Sequence, residues 1–185
     1  MRPGLYKLGK LLKTWDELIF EGIVAEDNLL KTASFKILNK REIKGTLVIP
    51  EYITNIGRID HCYYMDGIVF PSETLILSYE FLRGCILLTE IKCPKVNQIC
   101  AGFASNNPNL EKVYLGHPYW IGCNSLCDCP NLKSIIYDGT IEEFMNIHFT
   151  GPWGMNTNPL CKVICDDGEI SVNKFHCLKY TGEDR

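Results

Sequence analysis

A short segment that opens on leucine and closes on proline, glycine or aspartate returns at a fixed interval through the middle of the chain. Leu88-Thr-Glu-Ile91-Lys-Cys93-Pro94, Leu110-Glu-Lys-Val113-Tyr-Leu115-Gly116 and Leu132-Lys-Ser-Ile135-Ile-Tyr137-Asp138 each begin 22 residues after the last. Polar turns lead into the later two: Asn106-Asn107-Pro108-Asn109 and Cys129-Pro130-Asn131. Two looser copies come earlier. One is Thr46-Leu47-Val48-Ile49-Pro50, followed by Ile53 and Ile56-Gly57; the other is Ile68-Val69-Phe70-Pro71, followed by Leu77 and Leu82-Arg-Gly-Cys85. Each segment alternates as a half-buried strand does, and proline ends it because proline cannot donate to a ladder. A second apolar pair follows the strand: Val96 with Ile99, then Tyr119 or Trp120 with Ile121. A single unit of this kind cannot bury its apolar side, whereas stacked units can, so the pattern predicts a solenoid with a continuous core. The competing reading is a chance series of short strands in an ordinary β domain. The shared period and the recurring turn chemistry favour the solenoid.

The chain has 185 residues, 46% of them hydrophobic and 22% charged, enough for one domain with a real core. Residues 1–44 precede the repeats. There Thr14-Trp-Asp-Glu17 reads as a capping box, with Thr14 as N-cap and Glu17 reaching back, and predicts a short helix over about 15–23. Its expected role is to cover the open edge of the first repeat. The lysines Lys7, Lys10 and Lys13 interrupt any apolar run at the start, so this is not read as a signal peptide. No apolar run approaches the length of a membrane span. These points give the expectation of a cytoplasmic protein that does not engage a membrane. A net charge of −3 with no dense basic run argues against direct contact with nucleic acid.

The segment Leu47-Val-Ile-Pro50-Glu-Tyr-Ile53-Thr-Asn-Ile56-Gly57 resembles the repeat of the BspA-like class of bacterial leucine-rich repeats. Phe81-Leu82-Arg-Gly-Cys85 is similar to the end of that repeat, and so is Leu126-Cys-Asp-Cys129 with Leu in the Phe position. Tyr137-Asp-Gly139-Thr140-Ile-Glu-Glu-Phe144-Met-Asn-Ile147, then Gly151-Pro-Trp153 and Val163-Ile-Cys165-Asp-Asp-Gly168, looks like the capping module that closes many such arrays, with Phe144 where that family usually has Trp. The resemblance covers about residues 45–170. It implies a mostly β, α+β fold: a right-handed leucine-rich-repeat solenoid of short strands and turns at 45–138, with a helical N-terminal cap at 1–44. A C-terminal capping module at 139–185, with a helix near Ile141–Ile147, completes it. Family members are often long, secreted and adhesive. Small free-standing versions resemble those carried by bacteria and their phages, which often act by occluding a partner.

Three kinds of chemistry compete with a pure binding role. Cys123, Cys127 and Cys129, with Cys161, Cys165, His176 and Cys177, are candidate zinc ligands, although only Cys123-x3-Cys127 and Cys161-x3-Cys165 approach the usual paired spacing. The ten cysteines read more simply as buried thiols, since small apolar Cys suits tight interior positions. A nucleophile needs a positioned base. His176 adjoins Cys177, yet neighbours on a strand point opposite ways, and His61 and His117 fall in turns. No phosphate-binding glycine loop occurs. The pairs Asp166-Asp167 and Glu142-Glu143 read as solvated turn or helix residues.

The positive expectation is a binding surface. Aligned repeats put two columns on the outer strand face: Thr46, Gly67, Glu90, Lys112 and Ser134 in one, Val48, Val69, Lys92, Tyr114 and Ile136 in the other. An exposed apolar ribbon carrying a lysine is the pattern of a partner-facing strip. The alternative is that the N-terminal segment covers Val48 and Val69. Tyr119 and Trp120, and the neighbouring Tyr63 and Tyr64, are secondary candidates in turns. The expected function is therefore a non-enzymatic scaffold for a protein partner, without cofactor, metal or small-molecule substrate. Its candidate contacts are Val48, Val69, Glu90, Lys92, Lys112, Tyr114, Ile136, Tyr119 and Trp120. Two alternatives stay open: an intracellular inhibitor of phage or mobile-element type acting on a bacterial enzyme or defence complex, anti-CRISPR-like in its effect; and a small zinc- or thiol-dependent enzyme.

Overall fold

A computed structural model describes residues 1–27, 34–53, 55–73, 76–93, 96–154 and 156–171. The chain opens with a hairpin, β1 (Gly4–Lys7) and β2 (Lys10–Thr14), then helix α1 (Trp15–Phe20), then a second hairpin, β3 (Val24–Asp27) and β4 (Ser34–Ile37). The repeats follow as longer strands alternating with two-residue strands: β5 (Gly45–Val48), β6 (Asn55–Ile56), β7 (Met65–Val69), β8 (Ile76–Leu77), β9 (Glu90–Lys92), β10 (Gln98–Ile99), β11 (Lys112–Leu115), β12 (Trp120–Ile121) and β13 (Ser134–Tyr137). Helix α2 (Ile141–Met145), β14 (His148–Phe149), β15 (Lys162–Cys165) and β16 (Gly168–Ser171) complete the described chain.

These elements wind into a solenoid whose rungs are joined along three sides. The front side is a parallel ladder in two pieces, β5–β7 and β9–β11–β13–β15. The back side is a parallel ladder of short strands, β6–β8–β10–β12–β14, which β4 joins in parallel. The third side has no strands, yet its backbone is bonded rung to rung: Ile59 N–H donates to Phe81 O, Leu82 N–H to Phe103 O, Ala104 N–H to Ser125 O and Leu126 N–H to Trp153 O. Tight turns here need left-handed backbone, and the same places recur in successive rungs: Glu80, Gly102 and Asn124 in one row, His61, Gly84, Asn106 and Asp128 in another. Asn, Asp and Gly tolerate that conformation with least strain.

The core follows from the alternation. Leu47, Ile68, Ile91, Val113, Ile135 and Val163 point inward from the front; Ile56, Leu77, Ile99 and Ile121 meet them from the back. Phe81 and Phe103 stack near parallel between rungs, with centroids 6.2 Å apart. Their place in the next rung is taken by Ser125, whose Oγ donates to Gly122 O at 2.6 Å, while the buried Leu126 stands in one row with Leu82 and Ala104, three residues before the Cys or Asn of its rung, the place read from the sequence as the Phe position. A polar column runs beside the core. Cys85 Sγ donates to Ile59 O at 3.3 Å, Asn107 Nδ2 to Leu82 O at 2.9 Å and Cys129 Sγ to Ala104 O at 3.3 Å. Each side chain satisfies a carbonyl of the preceding rung that no strand partner reaches. This explains why Cys and Asn exchange at the same repeat position.

The N-terminal cap is richer in strand than the expected helical cap. Strand β1 pairs antiparallel with β5, so it closes the front ladder, and β3–β4 closes the back. Helix α1 starts at the expected capping box, with Thr14 Oγ1 accepting from Glu17 N–H and Glu17 accepting from Thr14 N–H. It ends earlier than expected. Gly22 is left-handed (φ +67°), Gly22 N–H donates to Ile19 O, and Ile23 N–H donates to Leu18 O, a helix-stopping arrangement. The expected second helix is present as α2, and it carries its own capping box, Thr140 with Glu143.

Charge ties the cap to the first rungs. Asp60 is buried, 3.0 Å from Lys40 of the cap, 3.2 Å from Arg58 and 2.7 Å from His61 Nδ1, and Arg58 also reaches Glu80 at 2.9 Å. Burial alone pushes the Asp60 carboxyl up, but the hydrogen bonds from His61 and Lys40 and the charges of Lys40 and Arg58 outweigh it and hold it at about 2. A carboxyl held below its ordinary value of about 4 stabilises the fold above that value. The contribution is lost as pH falls from about 4 through 2. Thermal melts of the native chain should therefore fall over that window, and the Asp60→Asn variant should show a flatter profile there with a lower Tm at neutral pH.

Candidate functional site

The two predicted outer columns exist in the register read from sequence. Glu90, Lys112 and Ser134 are paired across the front ladder, as are Lys92, Tyr114 and Ile136; Thr46 pairs with Gly67 and Val48 with Val69. Strand β15 extends both columns with Lys162 beside Ser134 and Ile164 beside Ile136. Neither residue was singled out from the sequence, because helix α2 is inserted in that rung and breaks the repeat interval. The signal that remains is the alternation of Lys162-Val163-Ile164-Cys165 itself.

Exposure divides the columns. Val69 is 39% exposed and Ile164 41%, while Tyr114 and Ile136 are half-buried. Val48 is only 3% exposed, so it presents no side chain to a partner; the N-terminal strand β1 lies directly beside it, with Gly4 opposite. The usable face therefore runs from β7 to β15. Tyr114 is its centre. The ammonium groups of Lys92 and Lys112 lie 5.3 and 5.8 Å from its ring centroid, a doubly cation-flanked aromatic. Lys92 is also held 2.8 Å from Glu90, a hydrogen bond and charge that raise its own pKa.

A cleft of about 780 Å³ opens where the front strands end. Tyr114, Leu115, Ile136, Tyr137 and Cys93 give it an apolar lining, with Asp138, Asp166 and His117 around it. His117 Nδ1 lies 3.2 Å from Tyr137 Oη. This cleft was not visible as a sequence motif, since its walls come from several successive rungs, those of β9, β11, β13 and β15 among them.

Tyr119 and Trp120 do not join this face. Trp120 is a strand residue of the back ladder, in register with Gln98 and His148, and the 59% exposed Tyr119 takes a hydrogen bond from Gln98. The expected turn placement holds for Tyr63 and Tyr64, both exposed.

Among the described residues no three His, Cys, Asp or Glu side chains come together to hold a metal; His176 and Cys177 lie outside those residues. The nine described cysteines are free thiols. Burial pushes Cys129 and Cys161 up to about 12 and raises Cys93, Cys100 and Cys165; the Cys62 thiol is raised by its hydrogen bond with Cys85 and then by burial. Thiols held in the protonated form are poor nucleophiles and poor metal ligands. Among the described residues no helix is long and apolar enough to cross a membrane.

Stacked rungs of about 22 residues, an outer parallel strand face and an inner Cys/Asn column define a leucine-rich-repeat solenoid, a repeat scaffold. In keeping with this, the chain superposes on a leucine rich cell surface protein from Faecalibacterium prausnitzii A2-165 with a TM-score of 0.60 and 18% identity, over 68% of this chain. It spans 40% of that protein's length. No protein-family model and no curated protein matches the sequence.

Proposed function

We propose that this chain is a non-enzymatic scaffold that binds a protein partner through the outer face of the front ladder, with Val69, Tyr114, Ile136 and Ile164 as apolar contacts and Glu90, Lys92, Lys112 and Lys162 around them. The observation that carries the proposal is Tyr114, a half-exposed aromatic flanked by two lysines on a rigid sheet. Aromatic and apolar groups displayed on strands lose little conformational freedom on binding, and aromatic anchors supply a disproportionate share of interface energy. The raised thiols support the absence of cysteine chemistry from this reading. A cytoplasmic location, where the buried thiols stay reduced, is part of the proposal.

The test is capture of partners from bacterial lysate on the tagged chain, beside Tyr114→Ala and Lys92→Glu variants with unchanged circular dichroism. One dominant protein should be retained by the native chain. Its affinity should fall about 30-fold in Tyr114→Ala, the scale of a hot-spot aromatic, and less in Lys92→Glu. Equal capture by both variants places the contact elsewhere on the molecule.

A further inference from the structure

The first hairpin ends in a turn whose sequence conflicts with its geometry. Leu8 and Gly9 are its two central residues, and both are left-handed, with φ of +50° and +77°. Such turns match the twist of a hairpin and are normally built from Asn-Gly or Asp-Gly. Leucine there meets steric resistance that Asn, Asp and Gly avoid. Leu8 is also 99% exposed, so no packing within the chain compensates. The exposed Lys7 and Lys10 are paired across the strands at its base. The result is a preformed knob: a bare aliphatic side chain flanked by two cations.

The cleft at the ends of the front strands has the complementary character. Tyr114, Leu115, Ile136 and Tyr137 offer an apolar wall, and the exposed carboxylates Asp138 and Asp166 are its acidic members. Knob and cleft occupy opposite ends of the strands. Tyr6 pairs with Thr46, so the chain beyond it runs past the start of β5, whereas Leu115 and Tyr137 close β11 and β13. A chain therefore cannot seat its own Leu8, and a second copy can.

We propose that Leu8 of one copy inserts into the cleft of another, with Lys7 and Lys10 facing Asp138 and Asp166. The contact joins different surfaces on the two copies, so it runs head to tail and does not close on itself as a twofold dimer does. Because Tyr114 and Ile136 belong to both the cleft and the outer strand face, a seated hairpin and a bound partner exclude each other.

Sedimentation velocity across about 1 µM to 1 mM tests this with two variants. Leu8→Asp removes the knob and installs the preferred Asp-Gly turn, so its Tm should equal or exceed that of the native chain. Asp138→Lys with Asp166→Lys reverses the cleft. The native chain should gain mass with concentration, in steps beyond two. Each variant alone should associate at least about tenfold more weakly. An equimolar mixture of the two should recover native affinity and stop at a dimer, since it holds one intact knob and one intact cleft. A native chain that stays monomeric throughout overturns the proposal, as does a Leu8→Asp chain that associates like the native one. Leu8-dependent pelleting with phosphatidylserine vesicles by a monomeric chain would assign the knob to a lipid surface instead.

Discussion

Phe144→Ala should destabilise the C-terminal end of the solenoid by about 3–5 kcal/mol, the range for emptying a buried aromatic site. Phe144 is fully buried on α2. Its ring centroid lies 5.3 Å from Tyr137, 5.8 Å from Phe149 and 6.2 Å from Trp153, all edge to face. It thus joins the last front strand before the helix, the last back strand and the third side of the final rung. Few rungs stand beyond it to collapse into the space, so relaxation recovers little of the loss. Each rung is stabilised mainly by its neighbours, so the effect should be local at first. Hydrogen exchange should show early loss of protection over 134–165 with 45–93 unchanged, and the Tm should drop by on the order of 10 °C. Phe144→Leu, which keeps most of the volume, should restore much of it. A uniform loss of protection along the chain would show that the rungs unfold as one unit.

Gly122→Ala should be a strongly damaging small substitution, and its sign is informative. The backbone of Gly122 is not left-handed, so alanine is conformationally acceptable there. By the entropy of the unfolded chain alone the change would stabilise by about 0.4–1 kcal/mol. The added methyl, however, would stand 2.3 Å from Ala101 N and 2.7 Å from Ala101 Cα, backbone atoms of the preceding rung. Gly122 N–H donates to Ile99 O at 2.7 Å at the same point. The methyl can be accommodated only by prising two rungs apart, which loses that bond and its neighbours. A loss of about 3 kcal/mol or more is expected, at the upper end for overpacking, read as a fall in the denaturant midpoint with the inter-rung amides of residue 122 and Gly102 newly exchangeable. A rise in the midpoint would mean that the rungs are more loosely stacked at this corner than their backbone contacts imply.

The parts of this fold that could be read in the sequence are those fixed by local alternation and by repetition. Leu88, Leu110 and Leu132 share an interval, and the residues around them point in and out as a strand dictates; hence the register of the outer columns follows from the repeat alone. Thr14 and Glu17 announced helix α1 through chemistry confined to four residues. Thr140 and Glu143 carry the same signal for α2, a helix expected there from the capping-module resemblance, with Glu142-Glu143 read as solvated turn or helix residues. Where distant segments decide, the sequence leaves the answer open. Cover of Val48 and Val69 by the N-terminal segment is one of two readings of the outer face, and only the return of β1 beside β5 decides it for Val48. Two-residue strands such as Ile76–Leu77 are too short to show alternation. The cleft is assembled from rungs separated by a full repeat, so no window along the chain contains it.

Strand polarity at the two ends decides how far this architecture can extend. Every contact between successive front strands within each piece of the ladder is parallel, yet β1 meets β5 and β16 meets β15 running the opposite way. At the front β16 presents a reversed edge, and at the back β3, antiparallel to β4, presents another, so coiling cannot simply continue on both ladders across either end. The rungs between obey a different rule. Each repeats the hydrogen-bonding pattern of its neighbour on three sides, and a copy inserted between β9 and β13 would meet complementary edges above and below. The array can then change its span one rung at a time while its terminators stay the same, and the outer face lengthens in equal steps. In that sense the molecule behaves as a ruler: its ends fix where the scale stops, and the number of rungs fixes the distance it measures.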